Sequence, residues 1–227
     1  FQINKIDPLN FGETIWVIKP EDLSNIGAFF RTGIFSSSRT VAISGDSLKS
    51  PKYYSTIIGA SISSLINSDE INDINNYRFI NGDPLSGLKV EYSEFLGFYN
   101  NSLSVIEEGN NYRMLGWLPF MYNSIPSFSK TSFSWLLGGA KKVNTNLNGE
   151  ERAIVVTGEM EKYFPMDIFP MQLIKACMRG DIEKMESLGI YEVVPEDFGL
   201  VDFSCTSKIE AQEIIKNGIE IMLKEVG

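Results

Sequence analysis

The residues that have the spacing of a known redox centre lie near the end of the chain, around Cys205. Bacterial iron–sulfur proteins hold their clusters with the motif C-x2-C-x2-C-x3-C-P, and the chemistry of such a centre is electron transfer. When the fourth cysteine of the motif is placed on Cys205, the three upstream ligand positions fall on Pro195, Phe198 and Val201. Three of the four positions therefore lack sulfur, and this set cannot hold iron.

A second copy of the same framework lies 41 residues upstream. Phe164-Pro165 then stands where Cys-Pro is expected, and the other ligand positions are Ile154, Thr157 and Met160. In two-cluster arrangements the fourth cysteine of each motif serves the other cluster. On that crossed scheme Cys205 joins the upstream set and Phe164 joins the downstream set. Because one cysteine remains from eight positions, we expect apolar packing in place of the clusters, with Cys205 an inert thiol. The alternative is an ordinary helical hairpin whose sequence matches the motif spacing by chance.

Histidine is absent from the chain, and the only cysteines are Cys177 and Cys205. Without imidazole the chain lacks the commonest general base and a usual metal ligand, which excludes His-containing catalytic triads and most zinc sites. Two cysteines are too few for a disulfide-stapled fold and suit a reducing compartment. We predict no catalytic residue and no metal site in this chain.

The formal net charge of −9 argues against nucleic acid as a partner, because binding to phosphates requires clustered Lys and Arg. Acidic pairs occur at Glu107-Glu108, Glu150-Glu151 and Glu196-Asp197. They could attract Na⁺, but hard cations need several converging oxygens, so we interpret the pairs as solvated surface. Glu196-Asp197 also favour a helix N-terminus. No apolar run is long enough to span a membrane, and the chain opens on Phe1 rather than Met, which indicates a fragment or a processed product.

The elements predict an α+β fold in four parts. Residues 1–37 contain an apolar run, Ile15 to Ile18, that reads as a buried strand, then a helix from Pro20 to Gly33. Residues 38–97 have the strand, strand, helix, strand order of a small β-grasp module. Residues 98–150 contain a predicted hairpin of Ser102–Ile106 with Tyr112–Trp117, followed by an aromatic connecting segment. Residues 151–227 are helical, and a capping box at Ser207–Glu210 is predicted to begin the last helix.

The aromatic segment is the one candidate for a hydrophobic ligand. Trp117, Phe120 and Trp135 carry rings that could flank a quinone head group. The alternative is a structural loop that packs on the neighbouring domains.

The sequence also resembles a known family in several separated motifs. Between the two frameworks the chain reads Phe164-Pro-Met-Asp-Ile-Phe-Pro-Met-Gln-Leu173 and then Gly180-Asp181, and after them Cys205-Thr-Ser-Lys-Ile209. These segments are similar to those around the clusters of the C subunit of the Rnf electron-transport complex. They resemble more closely the A subunit of the Na⁺-translocating NADH:quinone oxidoreductase, whose ferredoxin-like framework has lost its clusters. Arg39–Gly45 and Asn81–Gly87 are similar to the β-grasp (SLBB-type) domain of that family.

The resemblance implies a fold and a role. It implies the tail of a Rossmann-like α/β domain, an SLBB-like β-grasp domain, and a C-terminal helical domain of degenerate two-cluster ferredoxin type. The expected role is a non-redox structural subunit of a sodium-pumping translocase, peripheral on the cytoplasmic face of the bacterial inner membrane. Its partners would be the other subunits, above all an integral-membrane subunit, and ubiquinone is a further candidate. FMN, FAD, iron–sulfur and riboflavin are expected in other subunits and no cofactor in this one.

Two other functions stay open. The chain could be the quinone-binding module of that complex, in which case the aromatic segment should form a pocket. It could also be part of a soluble flavin or NAD enzyme related to the FMN-binding subunit of respiratory complex I, which would require phosphate-binding glycines upstream of Phe1.

Overall fold

The computed structural model describes residues 2–66, 71, 74–109, 115, 130, 135–136 and 142–225. The chain divides into two compact units. The first contains Phe1–Glu13 and Gly109–Gly227, and the second contains Thr14–Glu108. Trp117 and Phe120 of the predicted aromatic site, and the second strand of the predicted hairpin except Leu115, fall outside the described residues.

The second unit contains a five-stranded mixed sheet in the order β2-β1-β5-β3-β4. Strands β1 and β5 are parallel, and all other neighbours are antiparallel. The strands and the short helix between β2 and β3 have these bounds: β1 Ser38–Ser44, β2 Lys52–Ile57, α3 Ile62–Leu65, β3 Tyr77–Asn81, β4 Leu88–Val90 and β5 Ser102–Glu107. A 3₁₀ turn, Ile74–Asn76, precedes β3. This order, with its first and last strands paired in parallel at the centre, is that of a β-grasp sheet.

The alternation in β1 explains which face of the sheet is buried. Val41 and Ile43 are buried and Thr40 and Ser44 are exposed, as the period of two in the sequence predicts. The core that they enter is shared with the helix α3 and with β3 and β5, and includes Ile62, Ile66, Phe79, Leu103 and Val105.

The sequence-based boundary at residue 97 divides this domain incorrectly. Ser102–Glu107, assigned to a separate hairpin segment, is the central strand β5, which pairs with β1 through Ala42 and Ser102 and with β3 through Phe79 and Val105. Its burial is nearly continuous, because a central strand is covered on both faces. The domain therefore extends to Glu107.

The segment before the sheet differs from its predicted structure in one respect. Ile15–Ile18, expected to be a buried strand, has no strand pairing among the described residues, and Trp16 is 88% exposed. The helix that follows, α2 (Pro20–Thr32), begins at Pro20 and ends with Gly33 in the left-handed region, as predicted. Leu23, Ile26, Phe29 and Phe30 share one side of α2, and all four are exposed.

Buried polar contacts hold the start of α2 against the sheet. Arg39 of β1 is 3% exposed and forms an ion pair of 2.5 Å with Asp22. It also donates hydrogen bonds to the carbonyl of Phe98 and to the side chain of Asn101. Glu21 accepts hydrogen bonds from Asn101 and from the backbone N–H of Thr40. The polar side of α2 is therefore engaged, while its apolar side is left open.

The first unit is helical. A short helix α1 (Gln2–Ile6) is followed much later in the chain by the main group: α4 Met160–Tyr163, α5 Pro170–Arg179, α6 Ile182–Ser187, α7 Gly199–Ser204 and α8 Ala211–Glu225. Ile190–Glu192 and Pro195–Phe198 are 3₁₀ turns. Local residues bound α5 and α6: Pro170 opens α5, Gly180 closes it at φ 63°, and Asp181 caps α6 by accepting a hydrogen bond from the N–H of Lys184.

The start of α8 is capped differently from the prediction. The helix begins at Ala211, and the carboxylate of Asp202 in α7 accepts hydrogen bonds from the N–H groups of Ala211 and Gln212. Ser207, predicted as the capping residue, donates its hydroxyl to the carbonyl of Ala153 instead. The prediction was wrong because the cap comes from an element that is near in space and nine positions away in sequence.

Candidate functional site

The downstream set of ligand positions lies inside the core of the helical unit. Phe164, Phe198 and Val201 are 7%, 0% and 0% exposed, and Pro195 is half-buried at the start of a 3₁₀ turn. The ring centroids of Phe164 and Phe198 lie 4.7 Å apart at an interplanar angle of 47°. Phe164 therefore contacts the set that the crossed scheme gives it, and the burial predicted for these three side chains is observed.

The upstream set lies around Cys205. Thr157, Met160 and Cys205 line one small crevice, and Ile154 is partly buried against the core of the helical unit. The crevice has a volume of about 10 Å³, and Met171 also lines it. Thr157 is exposed, whereas Met160 and Cys205 are each 5% exposed. Cys205 therefore shares a crevice with members of the set that the crossed scheme gives it.

Local structure explains how these side chains come together. Met160 is the first residue of α4, Met171 lies in the first turn of α5, and Cys205 follows the last residue of α7. The extended segment before α4 is held by Ser207, whose carbonyl accepts from the N–H of Arg152 and whose hydroxyl donates to the carbonyl of Ala153. Met171 was missed by the sequence analysis because it lies outside the motif spacing.

Three ionisable groups near these sets have perturbed pKa values. Burial raises the pKa of the Cys177 thiol to about 11, so the thiol stays protonated at neutral pH. Burial also lowers the pKa of Lys208, while the electrostatic effect of Cys205, three positions earlier in the chain, acts to raise that pKa. The pKa of Asp202 is raised, chiefly by burial, while the hydrogen bonds that cap α8 act to lower it.

The remaining candidates have these positions. Trp135 is 49% exposed, with the Lys130 ammonium 5.4 Å from its ring centroid. Glu108 forms an ion pair with Arg78, Glu150 and Glu151 are exposed, and Asp197 accepts from the N–H of Val194. Within the described part of the chain, no group of three or more His, Cys, Asp or Glu side chains could hold a metal ion.

The sheet order makes the second unit a β-grasp domain. The SLBB-type family model of the NQRA C-terminal domain matches residues 40–92 within it. Relatives match the chain beyond that domain. The A subunit of the Na(+)-translocating NADH-quinone reductase of Neisseria meningitidis serogroup C is 34% identical over 98% of this chain and 50% of its own length. The same protein of Rhodopirellula baltica is 33% identical over 98% of this chain and 49% of its own, and that of Pasteurella multocida is 34% identical over 98% and 50%.

The chain belongs to the family formed by the A subunit of the Na(+)-translocating NADH-quinone reductase. It spans about half the length of the curated relatives that it matches.

Proposed function

We propose that this chain is a structural, non-redox part of a sodium-pumping NADH:ubiquinone reductase, a translocase. The relatives are named as one component of such an enzyme, and this supports the role. The proposed non-redox role is supported most directly by the packing of Phe164 on Phe198, at two positions where the iron–sulfur motif has cysteines. Phenyl rings cannot ligate iron. The chain would support electron transfer from NADH to ubiquinone, and Na⁺ export, without carrying electrons or being catalytic itself.

The helical unit is proposed to be a two-cluster ferredoxin framework whose clusters have been replaced by side chains. Two contacts support this proposal. Phe164 meets Phe198, and Cys205 shares its crevice with Thr157 and Met160. Both associations follow the crossed scheme in which each fourth ligand serves the other set. Burying apolar area at these positions would stabilise the fold where metal ligation once did.

The redox groups of the complex are proposed to lie elsewhere. FMN, FAD, iron–sulfur and riboflavin would be held by other subunits. The test is an iron assay and a visible spectrum of the purified chain. Stoichiometric iron, with thiolate-to-iron absorption in the visible range, would overturn the non-redox role. A colourless protein whose stability is indifferent to chelators would agree with it.

The chain is proposed to act at the cytoplasmic face of the bacterial inner membrane, docked on an integral-membrane subunit. No helix in residues 2–66, 74–109 or 142–225 is long and apolar enough to cross a bilayer. The test is affinity purification of the tagged protein from detergent-solubilised membranes. Recovery of the membrane subunits and of NADH:quinone reductase activity is expected, and recovery of the tagged chain alone would contradict the assignment.

The open face of α2 is proposed to pack on the part of the protein that lies outside this chain. The polar side of α2 is engaged by Arg39 and Asn101, while Phe29 and Phe30 are exposed, as are the residues of the run Ile15–Ile18. A four-residue apolar run followed at once by a helix is typical of an α/β domain in which a parallel strand is covered on both faces. The matched relatives are about twice as long as this chain, which leaves room for such a domain. Residues 1–37 would then be the tail of a Rossmann-like domain.

A role for ubiquinone at Trp117, Phe120 and Trp135 stays a prediction. A labelled quinone analogue should attach to the chain, and the labelling should fall in the Trp117→Ala and Trp135→Ala variants. Labelling that both variants leave unchanged would remove the aromatic segment as the contact.

A further inference from the structure

Asparagine is followed directly by glycine at three places in the chain: Asn81-Gly82, Asn148-Gly149 and Asn217-Gly218. In this pair the backbone nitrogen of the glycine can attack the side-chain amide of the asparagine, because glycine has no Cβ to shield that nitrogen. The attack requires a backbone N–H that is not held in a hydrogen bond and a side chain that is free to turn. Local structure therefore decides which of the three pairs can react.

Two of the pairs are held by regular structure. Asn81 is the last residue of β3 and is 7% exposed, and the N–H of Gly82 donates to the carbonyl of Ser102 at 2.9 Å. Asn217 and Gly218 lie in the interior of α8, where each backbone N–H is bonded to the carbonyl four residues earlier. Either nitrogen becomes available only when its element opens, and core elements open with a free energy that approaches the global stability.

The third pair lies outside the helices and strands, and both Asn148 and Gly149 are exposed. Asn148 has φ 52°, a left-handed conformation that Asn adopts more readily than most residues. Its side-chain amide donates to the carbonyl of Asn146 at 3.2 Å, in a surface hydrogen bond that water can replace. In the part of the chain that the structure describes, the N–H of Gly149 makes no hydrogen bond. The nucleophile and the amide are thus both available without opening of the fold.

A lysine from the helical unit packs on this pair. A Cβ added at Gly149 would lie 3.1 Å from Cε of Lys208 and 3.4 Å from its Cγ, so the aliphatic part of Lys208 lies along Gly149. Lys208 is half-buried, and its ammonium forms no ion pair with any described residue. A carboxylate formed at position 148 would therefore lie next to a cation that has no acidic partner.

We propose that Asn148 is a site of spontaneous conversion to isoaspartate and aspartate. The backbone nitrogen of Gly149 attacks Cγ of Asn148, the bond from Cγ to the amide nitrogen breaks, and ammonia leaves with the proton of the Gly149 N–H. Water then opens the resulting cyclic imide at either of its carbonyls, which gives isoaspartate or aspartate without any oxidation or reduction. Both products add a negative charge beside Lys208. The site does not depend on the role of the chain in the reductase.

The test compares the three pairs in the 227-residue chain, once folded and once unfolded in urea, during incubation at mildly alkaline pH. Peptide mapping by mass spectrometry, with isoaspartyl methyltransferase labelling, measures conversion at each position. In urea all three pairs should convert at similar rates. Folding should slow Asn81 and Asn217 by about hundredfold or more and Asn148 by less than about tenfold, because only the first two must wait for opening. Equal slowing of all three, or no product at Asn148 in the folded chain, would overturn the proposal.

Two variants check the chemistry and its consequence. Asn148→Gln should remove the labelling, because a ring with one more carbon closes much more slowly, and labelling that persists would contradict the site. The matched control is Asn217→Gln, which should leave conversion of Asn148 unchanged. Asn148→Asp, which creates one of the two products, should raise the pKa of Lys208 in an NMR titration, because a nearby negative charge favours the ammonium form. An unchanged titration would reject Lys208 as the partner of the new charge.

Discussion

Replacing Phe198 with alanine tests whether apolar packing stabilises the helical unit at positions where the iron–sulfur motif has cysteines. Phe198 is fully buried, and its ring lies 4.7 Å from that of Phe164. A phenyl ring of roughly 150 Å² at about 25 cal/mol per Å² corresponds to about 4 kcal/mol. The measured cost of buried Phe→Ala changes is also about 3–5 kcal/mol. We therefore expect Phe198→Ala to remove a large part of a total stability of about 5–15 kcal/mol.

The two cysteines provide an assay that reports on this unit alone. Cys177 and Cys205 are the only thiols in the chain, both lie in the helical unit, and each is 5% exposed. Thiol labelling over a urea series therefore measures the unfolding of this unit separately from that of the β-grasp unit. The matched control is Phe169→Ala, because Phe169 is 62% exposed and its loss should change stability by about 0.5 kcal/mol or less.

A double-mutant cycle separates the aromatic pair from general burial. Phe164→Leu and Phe198→Leu keep most of the apolar volume, and their coupling free energy should be about 1 kcal/mol. The reasoning would be refuted if Phe198→Ala destabilised the unit by no more than Phe169→Ala does. Zero coupling in the leucine cycle would reject the ring contact while leaving the burial argument in place.

Three further predictions follow from other contacts. Gly218→Ala should destabilise the helical unit by about 1–3 kcal/mol in urea unfolding, because the added methyl group meets the Cys177 sulfur at 2.5 Å, and Cys177→Ala should restore part of the loss. The pKa of Asp202 is raised in the folded state, so its contribution to stability is complete below the ordinary value of 3.8 and declines as pH rises through the folded-state pKa. The free-energy cost of Asp202→Asn should therefore be larger at pH 3 than at pH 7. An equal cost at both pH values would contradict this. Arg39→Ala should destabilise the β-grasp unit by about 3 kcal/mol or more, measured by thermal unfolding, because Asp22 loses its buried partner. A change under about 0.5 kcal/mol would show that the ion pair is unimportant for stability.

The elements that were predictable from the sequence are those with local signals. The helices α2 and α5 begin at Pro20 and Pro170 and end before Gly33 and Gly180, because a fixed φ and a left-handed φ are requirements of single residues. The position of β5 was not predictable in this way. Ser102–Glu107 carries no local mark that distinguishes a central strand from the arm of a hairpin, since the difference depends on a partner about sixty residues away.

The candidate site shows the same difference between what local sequence predicts and what depends on long-range packing. The motif spacing puts Phe164 in one set with Phe198 and Cys205 in the other set with Met160, and in the structure the first pair is in ring contact and the second pair lines one crevice. Met171 reaches the same crevice only through the packing of α5, which the spacing does not describe. The cap of α8 by Asp202 was missed for the same reason, because Ser207 satisfies a local rule while its hydroxyl bonds elsewhere.

The topology of the sheet has a consequence for synthesis on the ribosome. The strand that emerges last, β5, occupies the centre of the sheet and pairs with the first, β1. Until Glu107 has left the exit tunnel, β1 and β2 can form only a hairpin, and a hairpin alone is marginal in water. Closing the parallel pair is a non-local event, which makes it slow. During that interval the nascent chain presents Val41, Ile43 and their unpaired strand edge, so this part of translation is the period in which a chaperone would be needed most.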